Sequence, residues 1–426
     1  MSKRFVLAAV AATALAVGLL PTAASARPDT AAQPAATPGV TSRSVTIGTT
    51  QPLSGPASLY ARITTGMRAY FSYINARRAR DGKRGVYGRQ LSLKVYDDQY
   101  SEAQTVQQTR RAVEQDRVFA MLGGLGTENQ QAVRAYLNQR KVPQLFVSTG
   151  LSEFGRMYRQ FPWTIGWQPD YVQEGILHGR YVRQNFPNAR VAVLHQNDDY
   201  GREYLQGFRN AIGSRISIVA TESYPRNGGA AVVPGPVARL RASGADTLLV
   251  IATPTEAVTA LVTAYRLGWR PNKLVNSVGA TDTFMGLARA AAGSADAVEG
   301  VVTTAYLKNV SSPRYARDAQ VRLYKRLMAK YAPGQPENDG LFYYGMAKAD
   351  TFVQALYRAG RNPTRASLMR AAVNLRLNSP WLIRQNARTP GRLTSSTRSA
   401  FPVRHQRLAR YQNGSFVEFG PLVKTR

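Results

Sequence analysis

The sequence alternates between short apolar runs and amphipathic stretches, and it does so in two successive series. The apolar runs are typical of buried strands, and apolar residues at helical spacing are typical of the stretches between them. Within each series, neighbouring predicted strands lie roughly 25–30 residues apart, the size of a βα unit, except for a longer first gap. Such alternation predicts parallel sheets with right-handed crossovers. The predicted strands are 45–50, 91–95, 118–122 and 144–147, then 191–195, 216–224, 247–251 and 273–277. Two series of four predict an α/β protein with two lobes.

Polar turns follow several of these strands. Gln51-Pro-Leu-Ser-Gly-Pro56, Asp97-Asp98 and Asn197-Asp-Asp-Tyr-Gly201 each stand where a strand ends and a helix is due to begin. Ligands of open α/β sheets bind just outside the carboxyl ends of the strands. Ser101 and Gln104 have the spacing of a capping box at the start of the second helix. These turns predict a binding site between the lobes.

The pattern changes after Gly300. Long helices are predicted over 313–331, 340–358 and 364–375. Near the end, Asn413-Gly414 stands between the apolar runs 407–411 and 415–419. Asn-Gly between two such runs predicts a β-hairpin with a type I′ turn.

The first 26 residues have the organisation of a cleavable secretory signal. Lys3 and Arg4 precede an apolar run over 5–20, and Ala24-Ser-Ala26 is a small-x-small cleavage site. Residues 27–43 contain three prolines and no periodicity, so we interpret them as a flexible leader. The chain has no cysteine, which excludes disulfides and a lipid anchor on cysteine. We therefore expect a periplasmic or secreted protein.

The net charge of +31 is large for 426 residues. Its densest stretch is 384–410, which carries seven arginines and no acidic residue. Such charge attracts polyanions. Two interpretations stay open, a solvated basic face and a weak association with an anionic cell envelope. Nucleic acid is not an expected partner.

The candidate catalytic motifs are weak. Gly124-Leu-Gly126 resembles a dinucleotide turn, but Asn129 stands where the third glycine belongs. The three histidines, His178, His195 and His405, lack the spacing of metal ligands. Gly-x-Ser-x-Gly is absent, and Asp198-Asp199 is more typical of a helix N-terminus than of an acid–base pair. We expect no enzymatic activity, no metal and no cofactor.

Several motifs taken in series resemble one family. They are Pro52-Leu-Ser-Gly-Pro56 with Tyr60, Val95-Tyr-Asp-Asp98, Val118–Gly123, Val142–Ser148, Asp198–Gly201, Ala264–Gly268 and Glu299-Gly-Val301. Over about 45–375, and more loosely in the tail, the chain is similar to the branched-chain amino acid (Leu/Ile/Val-type) periplasmic substrate-binding proteins of ABC importers. The resemblance implies a type I periplasmic-binding fold, with two Rossmann-like lobes that are joined by three crossovers and close over a ligand by hinge motion. It assigns 44–166 plus 303–380 to one lobe and 167–302 plus 381–426 to the other.

The resemblance also implies where a ligand carboxylate would bind. It would meet the hydroxyl and N–H of Thr127, the backbone of Leu125, and Gly150 and Ser152 after the fourth strand. From the residues alone, the turn at Thr127 has two interpretations, an anion pocket at a helix N-terminus or a tight turn without a ligand.

Aromatic and polar residues would complete the pocket from both lobes. Tyr60 would form a wall from the first lobe, and Tyr200 and Thr253 would close from the second. Family members that bind amino acids carry an acid near the position of Val278. Since a buried ammonium without a partner is costly, the ligand need not be an α-amino acid, and a carboxylate, an aromatic acid or an amide fits equally.

The resemblance therefore implies a protein that captures a small organic ligand and delivers it to an ABC permease. Two alternatives remain at this point. One is a ligand-sensing receptor module of the same fold. The other is a basic, envelope-associated protein that binds polyanions.

Overall fold

The computed structural model describes residues 37–78, 82–386 and 389–424. The predicted signal at 1–26 and most of the predicted leader at 27–43 lie outside these ranges. Within them, no helix is both long enough and apolar enough to cross a membrane.

The first sheet has five strands, all parallel, in the order β2-β1-β3-β4-β5. Apolar side chains cover both of its faces, as expected of a parallel sheet between helices. Its strands are β1 Ser44–Gln51, β2 Gln90–Asp97, β3 Ala120–Leu122, β4 Gln144–Val147 and β5 Thr164–Gly166. The helices that alternate with them are α1 Arg62–Ala76, α2 Glu102–Arg110, α3 Thr127–Gln139 and α4 Glu153–Arg156.

The second sheet has seven strands in the order β14-β13-β10-β9-β8-β6-β7. Its parallel part ends at β10, and the last two strands pair antiparallel. The remaining strands of the chain are β6 Arg190–Gln196, β7 Ser217–Tyr224, β8 Thr247–Ile251, β9 Asn272–Val275, β10 Val302–Ala305, β11 Arg376–Ser379, β12 Gly391–Thr394, β13 His405–Gln412 and β14 Ser415–Lys424. Strands β11 and β12 form a separate two-stranded ribbon.

The remaining helices divide between the two sheets. They are α5 Tyr171–Asn185, α6 Asp199–Ile212, α7 Pro234–Ala242, α8 Pro254–Arg266, α9 Asp282–Ala292, α10 Ala319–Tyr331, α11 Gly340–Ala359 and α12 Arg365–Val373. Helices α10 and α11 pack against α1, and α12 packs against α11. We call the five-stranded sheet with α1–α4 and α10–α12 lobe 1, and the seven-stranded sheet with α5–α9 lobe 2. The chain therefore crosses between the lobes after β5, after β10 and before β13.

The predicted two-lobed α/β architecture with three crossovers is confirmed, and the structure corrects several details. The short strands β5 and β10 were not predicted, and β10 belongs to lobe 2 up to Ala305. The helix predicted over 313–331 begins only at Ala319. The predicted capping box is wrong, because the Ser101 side chain makes no capping hydrogen bond. Asp98 instead accepts the N–H of Tyr100 and the hydroxyl of Thr105.

Two other local predictions are confirmed. Asp198 caps α6 by accepting the N–H of Gly201 at 3.0 Å. Asn413 and Gly414 both have positive φ, 52° and 87°, between β13 and β14. These angles match the type I′ turn that the Asn-Gly pair predicts.

Each lobe contains a pair of helices in close contact at glycines. In lobe 1, a Cβ on Gly66 of α1 would lie 2.1 Å from the carbonyl oxygen of Phe342, and a Cβ on Gly345 of α11 would lie 2.1 Å from that of Ile63. In lobe 2, Gly175 of α5 and Gly207 of α6 face backbone oxygens in the same way, at 2.2 and 2.1 Å. Backbone atoms cannot move aside for an added Cβ as the flexible tip of a side chain can. Only glycine therefore allows these helices to approach so closely.

We expect Gly345→Ala to lower the free energy of unfolding by about 2–3 kcal/mol, because the added methyl forces α1 and α11 apart. Urea denaturation measures the change. Gly286→Ala is the matched control, since Gly286 lies inside α9 with open space around its Cα. The free energy of unfolding of that control should rise by about 0.5–1 kcal/mol, because alanine has a better helix propensity than glycine. Equal effects of the two substitutions would contradict the close-packing argument.

Candidate functional site

A cavity of about 170 Å³ lies between the lobes, at the carboxyl ends of the strands. Residues that follow β1, β2, β3, β4 and β5 line it from lobe 1, and residues that follow β6, β8, β9 and β10 line it from lobe 2. This is the position at which open α/β sheets bind ligands. An apolar cavity of about 150 Å³ holds a benzene molecule, so the space suits a small organic compound.

Aromatic side chains from both lobes contribute to the wall of the cavity. The lining includes Tyr60, Tyr100, Tyr171, Tyr200, Tyr306, Tyr343, Tyr344 and Phe416. The rings of Tyr171 and Tyr200 lie 4.7 Å apart between centroids, in a tilted arrangement. Mostly apolar walls with a few placed polar groups are typical of small-molecule sites.

The turn between β3 and α3 contributes polar groups at Gly126 and Thr127 to the cavity wall, which we call the polar corner. Gly126 has φ 101°, which glycine adopts without strain, and α3 begins with Thr127, which lines the cavity. The Thr127 hydroxyl lies 2.6 Å from the hydroxyl of Thr149. Among the described residues, no backbone acceptor meets the Thr127 N–H. Leu125 also lines the cavity, but its N–H donates to Thr50 O at 3.2 Å, so this N–H is not available to a ligand.

Gly150 and Ser152 lie outside the lining of the cavity. Gly150 contacts the crossover between β5 and α5 at 167–170, which we call the hinge segment. A Cβ on Gly150 would lie 2.7 Å from the Pro169 carbonyl oxygen. Ser152 donates its N–H and its hydroxyl to the carboxylate of Glu203 on α6, at 2.8 and 2.5 Å. Both residues therefore lie at the junction of the lobes.

Tyr200 carries a hydroxyl without a hydrogen-bond partner. Its side chain is 2% exposed and lines the cavity, and the described part of the protein offers its oxygen no partner. A buried polar group without a partner costs free energy. A ligand atom in the cavity would supply that partner.

The other predicted residues of the pocket are engaged within the protein. The Tyr60 hydroxyl donates to the carbonyl oxygen of Val278 at 2.9 Å, from lobe 1 to lobe 2. Thr253 donates its hydroxyl to Glu256 at 2.5 Å and its N–H to the Tyr224 hydroxyl at 3.1 Å. Both residues line the cavity with the remaining parts of their side chains.

Acidic groups close to the cavity are already satisfied. Asp282 lines it and accepts hydrogen bonds from Asn309, Ser415 and the Phe416 N–H at 2.8–3.1 Å. Glu174, 2% exposed behind Ser277, accepts the N–H and the hydroxyl of Ser277 at 2.6 and 3.1 Å. Burial raises the pKa of Glu174 to about 7. At the predicted position of an ammonium partner stands Val278, which has no charge.

The rims of the lobes touch on both sides of the cavity. Arg226, after β7, donates to Asn129 at 2.6 Å, pairs with Glu102 and Glu128, and lies 4.8 Å above the ring of Tyr100. Thr255 donates to the Pro56 carbonyl at 2.9 Å. These contacts hold the rims of the two lobes together beside the cavity.

Most residues of the lining were not predicted as binding residues, and Gln168 and the nearby Lys348 are two polar examples. Gln168, after β5, lines the cavity and accepts a hydrogen bond from the Tyr344 hydroxyl at 2.7 Å. Lys348 of α11 is fully buried beneath Tyr344 and Ser148. The sequence signal for Lys348 is a single lysine within the apolar stretch Leu341–Ala349.

Comparison with known proteins agrees with this fold. A family profile described as periplasmic binding protein matches residues 44–414. The chain belongs to the periplasmic binding protein family. The predicted family and fold class are thereby confirmed.

The relatives of this periplasmic binding protein include proteins that bind different ligands. It is 23% identical over 305 residues to an amino acid binding protein of Pseudomonas aeruginosa, covering 66% of this chain and 72% of that one. A branched-chain amino acid ABC transporter structure from Thermus thermophilus with bound valine superposes with a TM-score of 0.76 at 18% identity, covering 90% and 97% of the two chains. A solute-binding protein from Rhodopseudomonas palustris BisB5 in complex with 3,4-dihydroxybenzoic acid gives 0.72 at 17% identity, covering 90% and 98%.

Proposed function

We propose that this protein captures a small organic ligand between its lobes and delivers it to an ABC permease. The observation that supports this proposal most is the closed cavity at the strand ends, with its aromatic walls, its polar corner at Thr127 and the unpartnered hydroxyl of Tyr200. A ligand that touches both lobes shifts the equilibrium toward the closed form by its preference for that form. The family supports capture of a ligand. Delivery to a permease is what the resemblance to ABC importer components implies, and an extracytoplasmic location is what the predicted signal implies.

We further propose that the ligand lacks an ammonium group. Val278 offers no charge, and the oxygens of Glu174 and Asp282 already accept hydrogen bonds from the protein, so a ligand ammonium would have to compete with these donors for a partner. An aromatic or aliphatic carboxylate, or an amide, fits the aromatic walls and the donors at Thr127 and Tyr200. One related structure holds valine and another holds a dihydroxybenzoic acid, so the ligand must be measured on this protein.

A binding screen tests the proposal. α-Amino acids, amides, and aromatic and aliphatic acids are added to protein purified without refolding, while melting temperature and tyrosine and tryptophan fluorescence are recorded. Binding to the folded form stabilises the protein by RT ln(1 + c/Kd) at free ligand concentration c, so the melting temperature rises with ligand concentration. Acids or amides should stabilise the protein, and α-amino acids should not. No shift with any compound at millimolar concentration would contradict capture of this class of ligand.

Uptake measurements separate delivery from sensing. Deletion of the gene should abolish uptake of the labelled ligand by cells if the protein serves a permease. If binding is strong but uptake is unchanged, the protein acts as a ligand-sensing module. Association with an anionic envelope stays a prediction from charge alone, to be tested by the salt dependence of binding to anionic vesicles.

Tyr200→Phe should have opposite effects on the free and the bound protein. Removal of the unpartnered hydroxyl should raise the melting temperature of the ligand-free protein slightly, whereas affinity for the ligand should fall roughly three- to tenfold, the value of one hydrogen bond. Calorimetric titration and thermal denaturation measure the two effects. Tyr181→Phe is the control, because that hydroxyl accepts a hydrogen bond from Arg410 at 2.9 Å outside the cavity. If both variants bind the ligand equally well, Tyr200 does not contact it.

A further inference from the structure

Lys348 lies beneath the floor of the cavity and is bonded to two residues that line it. Its side chain has no exposed surface. Nζ donates to the Ser148 hydroxyl and, at 2.7 Å, to the Tyr344 hydroxyl. Nζ also lies 4.3 Å from the ring centroid of Tyr344 and 5.2 Å from that of Trp167. The amine is therefore hydrogen-bonded directly to two residues of the cavity lining.

The surroundings of Lys348 provide no negative charge. Across the described ranges of the chain, no carboxylate forms an ion pair with it, and burial is the only cause that shifts its pKa, which lies well below the ordinary value for lysine. The nearest acid along α11, Asp350, is buried and accepts hydrogen bonds from Tyr70, Gln354 and Trp381. Of the groups that face Nζ, only Tyr344 titrates, and burial raises its pKa, which keeps it protonated at neutral pH.

An isolated buried ammonium is among the costliest groups in a protein interior. Methionine or leucine would fill this space in α11 without that cost. Lys348 orients the hydroxyls of Ser148 and Tyr344, because each of them accepts a hydrogen bond from Nζ and turns its own hydrogen to another acceptor. Ser148 donates to Gly123 O at 2.7 Å, and Tyr344 donates to Gln168 at 2.7 Å. The lysine thus sits where its charge acts on whatever occupies the cavity.

We propose that Lys348 is the counter-charge for an anionic ligand, so that a ligand carboxylate held in the cavity draws a proton from solvent onto Nζ. This inference rests on the proposed function and names its ligand class as a carboxylate. In the ligand-free protein, burial weakens the binding of a proton to Nζ. The negative charge of a bound ligand favours the protonated amine, so binding takes up a proton from solvent. Binding of a neutral amide of the same shape takes up no proton.

Matched acid and amide probes test the inference on the natural protein. The probes are 4-hydroxybenzoate with 4-hydroxybenzamide, and isovalerate with isovaleramide. Calorimetric titration in two buffers of different ionisation enthalpy gives the number of protons taken up. We expect uptake of up to one proton with the acids and none with the amides. Affinity for the acids should fall as pH rises, by at most about tenfold per pH unit for one proton, while affinity for the amides stays constant.

Lys348→Met provides an independent test. The variant removes a buried charge and keeps the length of the side chain, so its melting temperature should be equal to or above that of the natural protein. Affinity for the acids should fall at least about tenfold, as expected when a nearby unit charge is lost, and affinity for the amides should change less than threefold.

Two outcomes would overturn the inference and can be told apart. If the natural protein binds the probes but takes up no proton, or if the variant weakens acids and amides equally, Lys348 is structural while capture of a ligand stands. If the natural protein binds no acid and no amide at millimolar concentration, the inference and the proposed ligand class fail together.

Discussion

Glu174→Gln should raise the free energy of unfolding at pH 8 by about 3 kcal/mol relative to the natural protein and leave it nearly unchanged at pH 4. Burial raises the pKa of Glu174 from its ordinary 4.5 to about 7. Below pH 4.5 the carboxyl is protonated in both the folded and the unfolded chain, so burial of the neutral group costs the folded protein no stability through ionisation. As pH rises toward 7, the unfolded chain loses the proton first, so stability is lost through this window. Glutamine does not titrate and can still accept the Ser277 N–H.

Chemical denaturation of both proteins between pH 4 and 9 measures this difference, with Glu222→Gln as control. Glu222 is on the surface, where its hydrogen bond with Arg239 lowers its pKa. Its replacement should therefore change stability in the opposite direction, lowering it at neutral pH by a small amount because solvent screens the pair. Parallel pH profiles for the natural protein and Glu174→Gln would show that the Glu174 carboxyl ionises freely in the folded protein.

Trp381→Ala should cost about 3–5 kcal/mol of unfolding free energy, the range for emptying a buried tryptophan site. Trp381 is 1% exposed and lies edge-on to Tyr70 and Tyr343, with centroid distances of 5.7 and 5.0 Å. Its Nε1 donates to the buried carboxylate of Asp350 at 2.9 Å. The substitution thus opens a cavity and also removes one donor from a buried acid, leaving the Tyr70 and Gln354 donors.

Urea denaturation followed by circular dichroism should show a lower midpoint for Trp381→Ala with an unchanged slope. Trp163→Ala is the matched control, because Trp163 is only partly buried and makes no side-chain hydrogen bond among the described residues. Its loss should be about 1–2 kcal/mol, from the smaller apolar area it buries. Equal losses at the two tryptophans would contradict the role assigned to the contacts of Trp381.

The sequence predicted most of the strands because each carries its own local signal. Alternating or continuous apolar runs marked β1, β2, β6 and β8, and Asn413-Gly414 marked the last hairpin. The three-residue strand β5 has no such pattern and is defined only by its pairing with β4. Ser101 and Gln104 had the spacing of a capping box, but the nearby Asp98 provides the hydrogen bonds instead. Pairing between distant segments and competition between neighbouring acceptors are invisible to local patterns.

The site was predictable where it follows directly from strand ends. Tyr60, Leu125, Thr127, Tyr200 and Thr253 line one cavity because the carboxyl ends of parallel strands meet at one edge of each sheet. Contact of these residues with a ligand stays a prediction. Gly150 and Ser152 also follow a strand, but the hinge segment and α6 cover them. Tyr344 and Lys348 enter the site from α11, far along the chain, and only the packing of α11 against α1 brings them there.

The terminal hairpin of β13 and β14 has a consequence for biosynthesis. Ala409 and Phe416 belong to these strands and line the cavity, and the Phe416 N–H and the Ser415 hydroxyl hold the carboxylate of Asp282. A ribosome makes this segment after every other described helix and strand. The cavity is therefore complete only after β13 and β14 have been synthesised, and a nascent fragment that lacks this hairpin offers a ligand an incomplete lining.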